Sequence, residues 1–380
     1  MSKVSDSSVL KMVAVAAGLM PNKQFVNYQE VEDLHKQFLC VLVEDAQREK
    51  FLLVAPKDDS SGFAREQFEK EIEITKIVQN EFRRKKSHAH FEVPNVVAHN
   101  SRLAVLVPYS GRAFAPSALS TSQVKSLATE LAKIHSAQFS VVDENPAILG
   151  KVVETNAQTR ARLISTLDEV SLLGLIPASL VSRFEDFLNL ETAWSYDSTV
   201  VHGSIVPRNI LFAGESVTYI LEWGRIRIGD YALDLAGVVP ALTSDNAATF
   251  FEVYRKFRLK FGNRSRLGAN LEERVEFYCQ FESVEKLLDA RRAGDEETAL
   301  KLVQELELLD KKLTLEQELD LIEEEARRVS EQEKQRIDGL VKQDQQFTQK
   351  MMRSELISVT SKASHNSGAV SSNKIRRGAK

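Results

Sequence analysis

A change of hydrophobic period at Pro108 sets the first limit on how this chain folds. Before it, apolar residues gather in short β-compatible runs at 38–43, 51–54, 93–97 and 103–107, with Asp45-Ala46-Gln47-Arg48-Glu49 as a hairpin loop between the first two. One charged helix, residues 64–82 with Phe68, Ile72 and Ile77 inward, interrupts these strands. After Pro108 the period becomes helical. Residues 122–139 place Val124, Leu127, Leu131 and Ile134 on one face, and residues 157–194 read as two helices broken near Gly174 and Pro177. Helices resume over 247–292, and only 199–223 returns to short strands around a polar loop. This segregation predicts an α+β chain, with a small β-rich lobe over 1–110 and a helical lobe over 111–294.

At 380 residues the chain is long enough for more than one unit. It is 43% hydrophobic and 27% charged, which excludes a disordered or collagen-like chain. Fifty basic against 54 acidic residues leave a formal charge of −4, too near neutral to imply a polyanionic partner for the body. Cys40 and Cys279 are the only cysteines and lie outside any zinc-ligand spacing, which points to a reducing compartment. The longest apolar stretch, residues 12–20, is too short to span a bilayer. Lys11 interrupts its start, and Val9, Met12, Val13, Ala16 and Ala17 recur at helical spacing, so we expect an amphipathic helix rather than a signal peptide, and a cytoplasmic location.

Past Gly294 the composition changes. Leu302, Leu306, Leu309 and Leu313 step by four, three and four, and Thr314 with Gln317 predicts a capping box that restarts a helix. Leu315, Leu319, Ile322, Ala326 and Val329 continue the heptad. The same positions then fall on Glu333, Arg336, Leu340, Gln343 and Phe347, so the seam decays. A helical hairpin packed on the body and a coiled-coil site for a protein partner both fit this extension over 295–350. Residues 351–380 read as a basic, disordered tail, with Lys374, Arg376, Arg377 and Lys380 near its end. Such a tail would add only weak, salt-sensitive nucleic-acid binding.

The chemistry-bearing segment is the polar loop His202-Gly203-Ser204-Ile205-Val206-Pro207-Arg208-Asn209, followed by Leu221-Glu222-Trp223 and Gly229-Asp230-Tyr231-Ala232-Leu233-Asp234-Leu235-Ala236. A protein-kinase catalytic loop sets its base Asp five residues before a metal-binding Asn, with a second metal-binding Asp further on. Here Ser204 stands five before Asn209, and Glu222 follows. The spacing is kept while two of the three residue types change.

These residues resemble the aminoglycoside phosphotransferase and choline-kinase-like branch of the protein-kinase fold, with its His-Gly-Asp-x-x-x-x-Asn, Ile-Asp-Trp and Gly-Asp-Pro-x-x-Asp-Leu-Ala stretches. His202, Gly203, Pro207, Asn209, Trp223, Gly229, Asp230, Asp234, Leu235 and Ala236 match. The resemblance covers about residues 10–290, including Leu131-Ala132-Lys133-Ile134-His135-Ser136, and implies a two-lobed protein-kinase-like fold with a helical C-terminal extension.

It also implies ATP and Mg²⁺ as cofactors. Asn209 and Glu222 would take the metal, and the segment Leu106-Val107-Pro108-Tyr109 would form a hinge for an adenine edge through Val107 and Tyr109. His202 would shape the loop, and Asp230 and Asp234 would brace the next helix. Ser204 occupies the base position, and losing a general base costs about 10²–10⁴-fold in rate. Glu222 keeps a carboxylate but moves it by about 1 Å, a displacement that can cost about 10²-fold. Val54 stands where the family's strand carries a basic residue, with Lys57 three positions on, and Glu69, Glu71 and Glu73 are all candidates for its helix partner. The hairpin after Val43 holds no glycine for a phosphate cover. We therefore expect a degenerate, pseudokinase-like phosphotransferase with at most residual ATP and Mg²⁺ binding. An active ATP-dependent small-molecule kinase with relocated groups, and a scaffold acting through its C-terminal helices and basic tail, are the alternatives.

Overall fold

The structure, a computed structural model, describes residues 6–31, 38–57, 63–84, 93–107, 111–137, 153–261 and 267–366. Two compact units divide the chain, Met1–Leu308 and Leu309–Lys380. In the first unit, β1 (Phe25–Glu30), β2 (Phe38–Asp45), β3 (Lys50–Pro56), β4 (Asn95–His99) and β5 (Ala104–Val107) form an antiparallel sheet in the order β1-β2-β3-β5-β4.

The runs at 38–43 and 51–54 do not alternate in polarity because both faces of this sheet are covered. On one face α1 (Asp6–Leu19) lays Val9, Met12 and Ala16 against Val41, Val43, Phe51, Leu53 and Val105. On the other, Phe38, Cys40, Leu52, Val54 and Ala104 meet Phe68 and Ile72 of α2 (Phe63–Arg84) and Leu211, Tyr219 and Leu221 of the helical lobe. The buried stripe of α2 is wider than the sequence implied: Ile74 and Val78 are buried, while Ile77 is only half-buried.

The hairpin after Val43 is the second of the sheet, not the first. Its turn is held by Asp45, whose Oδ1 accepts from Gln47 N at 2.9 Å and Glu49 N at 2.8 Å. The first hairpin joins β1 to β2 through 31–37, a stretch that also lacks glycine and of which 32–37 lie outside the described residues.

The helical lobe comprises α3 (Thr121–His135), α4 (Asn156–Leu172), α5 (Ala178–Asn189), α6 (Ala232–Ala236), α7 (Ser244–Phe261) and α8 (Leu271–Ala293). Ser120 and Gln123 form a reciprocal capping box that starts α3, and Thr155 and Gln158 do the same for α4. Val124, Leu127, Leu131 and Ile134 are all buried along α3. A ring cluster fixes α8 to α5, with Phe187 stacked on Phe277 at 4.7 Å and Phe281 at 5.0 Å from Phe277. Two short hairpin-like sheets carry the polar loop: β6 (Thr199–Val201) pairs with β9 (Arg227–Gly229), and β7 (Ile210–Ala213) with β8 (Ser216–Ile220).

One helix, α9 (Glu296–Asn366), runs through the whole predicted extension. It does not restart at Thr314, whose hydroxyl donates back to Asp310 O at 2.9 Å, a bond made inside a continuous helix. It passes the expected boundary at 350 as well, so 351–366 are helical rather than a disordered tail, and 367–380 lie outside the described residues. The first compact unit also extends past Gly294 to Leu308, because Ala299, Leu302 and Leu306 are buried in it. Among the described residues no helix is long and apolar enough to cross a membrane.

Candidate functional site

The polar loop leaves β6 at His202 and is fastened from behind by α6. Asp234 Oδ2 accepts from His202 N at 2.7 Å and Oδ1 from Gly203 N at 2.8 Å. The same carboxylate meets His135 Nε2 at 3.0 Å, and His135 Nδ1 lies 2.8 Å from Tyr254 Oη on α7. These partners fix the tautomer: Nε2–H donates to Asp234, and Nδ1 accepts from the tyrosine hydroxyl. Burial pushes His135 below the ordinary imidazole value, so it is neutral in this network. Burial opposes the charge of Asp234, but the hydrogen bonds from His135 and the loop amides outweigh it and hold the carboxyl below its usual range. Arg258 closes the cluster by donating to His135 O at 2.6 Å and Ser136 Oγ at 2.9 Å.

His202 points back into the core. Its Nε2–H donates to Leu221 O at 2.9 Å, and its ring meets Trp223 edge-on at 4.6 Å. Burial lowers it to about 4, so the ring is neutral and its N–H is spent on backbone. Asp230 is committed too. Its Oδ2 lies 2.8 Å from Nε of the fully buried Arg274, and its Oδ1 accepts from Ala232 N at 3.0 Å. Arg274 also rests 4.3 Å over the Tyr196 ring. Asp230 is therefore a buried carboxylate paired with Arg274 and the Ala232 amide.

Two glycines give the loop its path. Gly203 has φ +78°, and a Cβ there would stand 2.3 Å from Arg225 O. A Cβ on Gly237 would stand 1.9 Å from Ile205 O, so α6 approaches the loop as closely as backbone allows.

On the open side, Ser204 is half-buried and its carbonyl accepts from Asn209 Nδ2 at 2.7 Å. Asn209 Oδ1 accepts from Val206 N at 3.1 Å, so the buried amide closes the loop on itself. Leu221 N donates to Asn209 O at 2.9 Å, which brings Glu222 beside it, and the two side chains are hydrogen-bonded. Glu222 adopts the left-handed backbone, φ 66° and ψ 58°, an uncommon conformation for a residue with a side chain. Its carboxyl lies 4.0 Å from Arg208 Nη2. Burial pushes it up to about 7, against the pull of Arg208 and Asn209.

Of the three candidate glutamates on α2, Glu69 and Glu73 are exposed and Glu71 faces the site. Its carboxylate accepts from the backbone of Gly224 and Trp223, and from Thr75 Oγ1 at 3.5 Å. A Cβ on Gly224 would fall 1.9 Å from Glu71 Oε2, so a side chain there would displace the carboxylate. Burial first, and the nearby Glu222 second, raise Glu71 to about 7. No cation from β3 reaches toward it at Val54, which is packed among Phe68, Ile72, Ala104 and Leu221. A cavity of about 50 Å³ remains there, lined by Cys40, Val54, Phe68, Glu71, Leu221 and Glu222. Ligand pockets for drug-sized molecules hold roughly 300–1,000 Å³.

The structure thus gathers Ser204, His202, Asn209 and Glu222 at one loop. Val107 ends β5 opposite Asn95, and Tyr109 lies outside the described residues. Sequence reasoning missed Tyr254, Arg258 and Arg274. A signal was present: Phe250, Tyr254 and Arg258 follow at four-residue steps, and a charge on such an apolar stripe marks a buried partner. Among the described residues no group of three or more His, Cys, Asp or Glu could hold a metal ion.

The sequence pattern described as "Phosphotransferase enzyme family" matches residues 41–269. Solved structures share the fold. Macrolide 2'-phosphotransferase MphH from Brachybacterium faecium, apoenzyme, is similar with a TM-score of 0.62 at 18% identity, over 79% of this chain and 97% of that one. A structure described as macrolide 2'-phosphotransferase type I gives 0.62 at 19%, over 80% and 99%. The GDP and kanamycin complex of APH(2")-IIia gives 0.58 at 15%, over 80% and 99%. No curated protein matches the chain. With the family pattern spanning more than half of it, and with a two-lobed protein-kinase-like fold, the chain belongs to the phosphotransferase enzyme family.

Proposed function

We propose that this chain is a degenerate phosphotransferase that keeps the family's loop architecture as a scaffold and transfers phosphoryl groups poorly or not at all. The observation that carries this reading is Glu71. Its carboxylate is seated on the Trp223-Gly224 backbone, while Val54 fills the strand position opposite it with apolar bulk. A phosphoryl donor brings several negative charges, which need cations and donors at this point. Here it would meet two carboxylates and hydrocarbon, with Arg208, 4.0 Å from Glu222, as the adjoining cation.

Ser204 supports the same reading at the base position, since a hydroxyl does not accept an alcohol's proton near neutral pH. The donor set does not fit Mg²⁺ either. Octahedral Mg²⁺ wants several oxygen ligands. Asn209 Oδ1 already accepts from Val206 N, Arg208 stands 4.0 Å from the Glu222 carboxyl, and Glu71 is spent on the Trp223-Gly224 backbone. APH(2")-IIia is seen with GDP and kanamycin. For this chain we infer at most weak nucleotide contact.

Phosphoryl transfer assayed with ATP and GTP over a panel of alcohols should give turnover indistinguishable from buffer. Turnover near 1 s⁻¹ that disappears in Asn209→Ala would overturn the proposal.

A further inference from the structure

The second unit carries a self-complementary seam. Along α9, Leu315, Leu319, Ile322, Ala326, Val329, Glu333, Ile337, Leu340, Asp344, Phe347 and Met351 step by 4, 3, 4, 3, 4, then 4, 3, 4, 3, 4. The heptad does not decay after Val329. It takes one four-residue insertion, a stutter, and resumes on Ile337. Every one of these residues is exposed in the helix, with Leu315 at 57%, Ile322 at 65% and Phe347 at 64%. Eight of the ten exposed large apolar side chains between 315 and 351 lie on this line, with Leu321 and Val341 flanking it. Apolar side chains so placed along about 54 Å of helix require a covering surface.

We infer that this surface is a second copy of the same helix, running antiparallel, with the two-fold axis at Glu333. The step pattern reads the same from either end about that residue. An antiparallel copy therefore sets Leu315 against Met351, Leu319 against Phe347, Ile322 against Asp344, Ala326 against Leu340 and Val329 against Ile337. Both chains carry the stutter at the same level, so neither drifts out of phase with its mate. This is an isologous contact and closes as a dimer.

Charge selects the antiparallel direction. Residues 315–332 hold seven acidic and two basic residues, and residues 334–351 hold four basic and two acidic ones. Antiparallel pairing sets net −5 against net +2, and brings Glu318 near Lys350 of the copy. Parallel pairing would set each half against its own sign, Glu318 near Glu323, and Asp344 against itself. The antiparallel arrangement leaves one like-charge contact, Glu333 with its own copy. The inference rests on the second unit alone and is independent of the state of the polar loop.

The test uses the full chain. Sedimentation equilibrium at tens of micromolar protein should give twice the chain mass. Val329→Glu, at an exposed position, should give monomer with an unchanged melting temperature for the body. Direction is read by disulfide trapping in a Cys279→Ser background. Chains with Leu319→Cys mixed with chains with Phe347→Cys should cross-link at least tenfold faster than either alone. A monomeric full chain, a trimer or tetramer, or self-cross-linking of Leu319→Cys faster than the mixture would overturn the inference. Binding of a different protein by a monomeric chain would do so as well.

Discussion

The two sides of the polar loop differ in kind. Behind it, the charged groups are paired: Asp234 holds the amides of His202 and Gly203, His135 bridges Asp234 to Tyr254, and Arg274 neutralises Asp230. In front of it, on the reading proposed above, the groups that would touch a phosphoryl donor are replaced. Ser204 stands at the base position, Val54 at the strand cation's, and Glu222 shares its region with Glu71. The contrast teaches that the loop's shape is determined from behind, by buried hydrogen bonds and close glycine packing, and does not depend on the chemistry at its mouth. A chain can keep the first while losing the second.

The largest expected effect lies behind the loop. Asp234→Ala would leave two amides and the His135 N–H without their acceptor, costing about 3–5 kcal/mol of stability, read by urea denaturation. Gly203→Ala would force a side chain into a left-handed turn against Arg225 O, costing about 2–3 kcal/mol. If either variant is as stable as the parent, the loop is not held as described.

Next comes a pH effect at the front. Glu71 titrates at about 7 in the fold, against an ordinary value of 4.5, so the folded state binds more protons than the unfolded state between those limits. Its contribution therefore falls as pH rises from 4.5 to 7 and is flat above. Glu222, raised to about 7 from 4.5, acts in the same direction as Glu71, and His202, lowered to about 4 from 6.5, acts in the opposite one, so total stability mixes all three. Glu71→Gln separates them. The variant should match the parent near pH 5 and exceed it by on the order of 2 kcal/mol at pH 8, because the amide still accepts from Gly224. Equal stability at both pH values would place Glu71 outside the buried seat. The smallest effect is at Ser204, where Ser204→Ala should change stability by no more than about 0.5 kcal/mol.

Much of this was legible before the structure. The period change at Pro108 separated the β-sheet from the helices that follow it, and the His202-to-Asn209 spacing marked the polar loop, because both follow from local repeat rules. The choice among Glu69, Glu71 and Glu73 was not legible. All three face outward or inward depending on a helix phase that only packing of Phe68 and Ile72 against the sheet decides. The paired roles of Tyr254 and Arg258 were hidden because their partner, His135, lies more than a hundred residues away. Past Val329 a strict heptad lands on Glu333, Arg336 and Gln343, whereas a four-residue stutter puts Ile337, Leu340 and Phe347 on one line.

On the proposed reading the front of the site holds a magnesium nucleotide weakly or not at all. Thermal unfolding of the full chain with ATP or GTP, with and without Mg²⁺, tests it most directly. A ligand at 100 times its Kd contributes about 2.7 kcal/mol, which raises Tm by roughly 5 °C or more in a unit of this size. The account predicts a shift below about 1 °C at millimolar nucleotide, on that same scale. A Mg²⁺-dependent rise of about 5 °C, lost in Asn209→Ala, would contradict it.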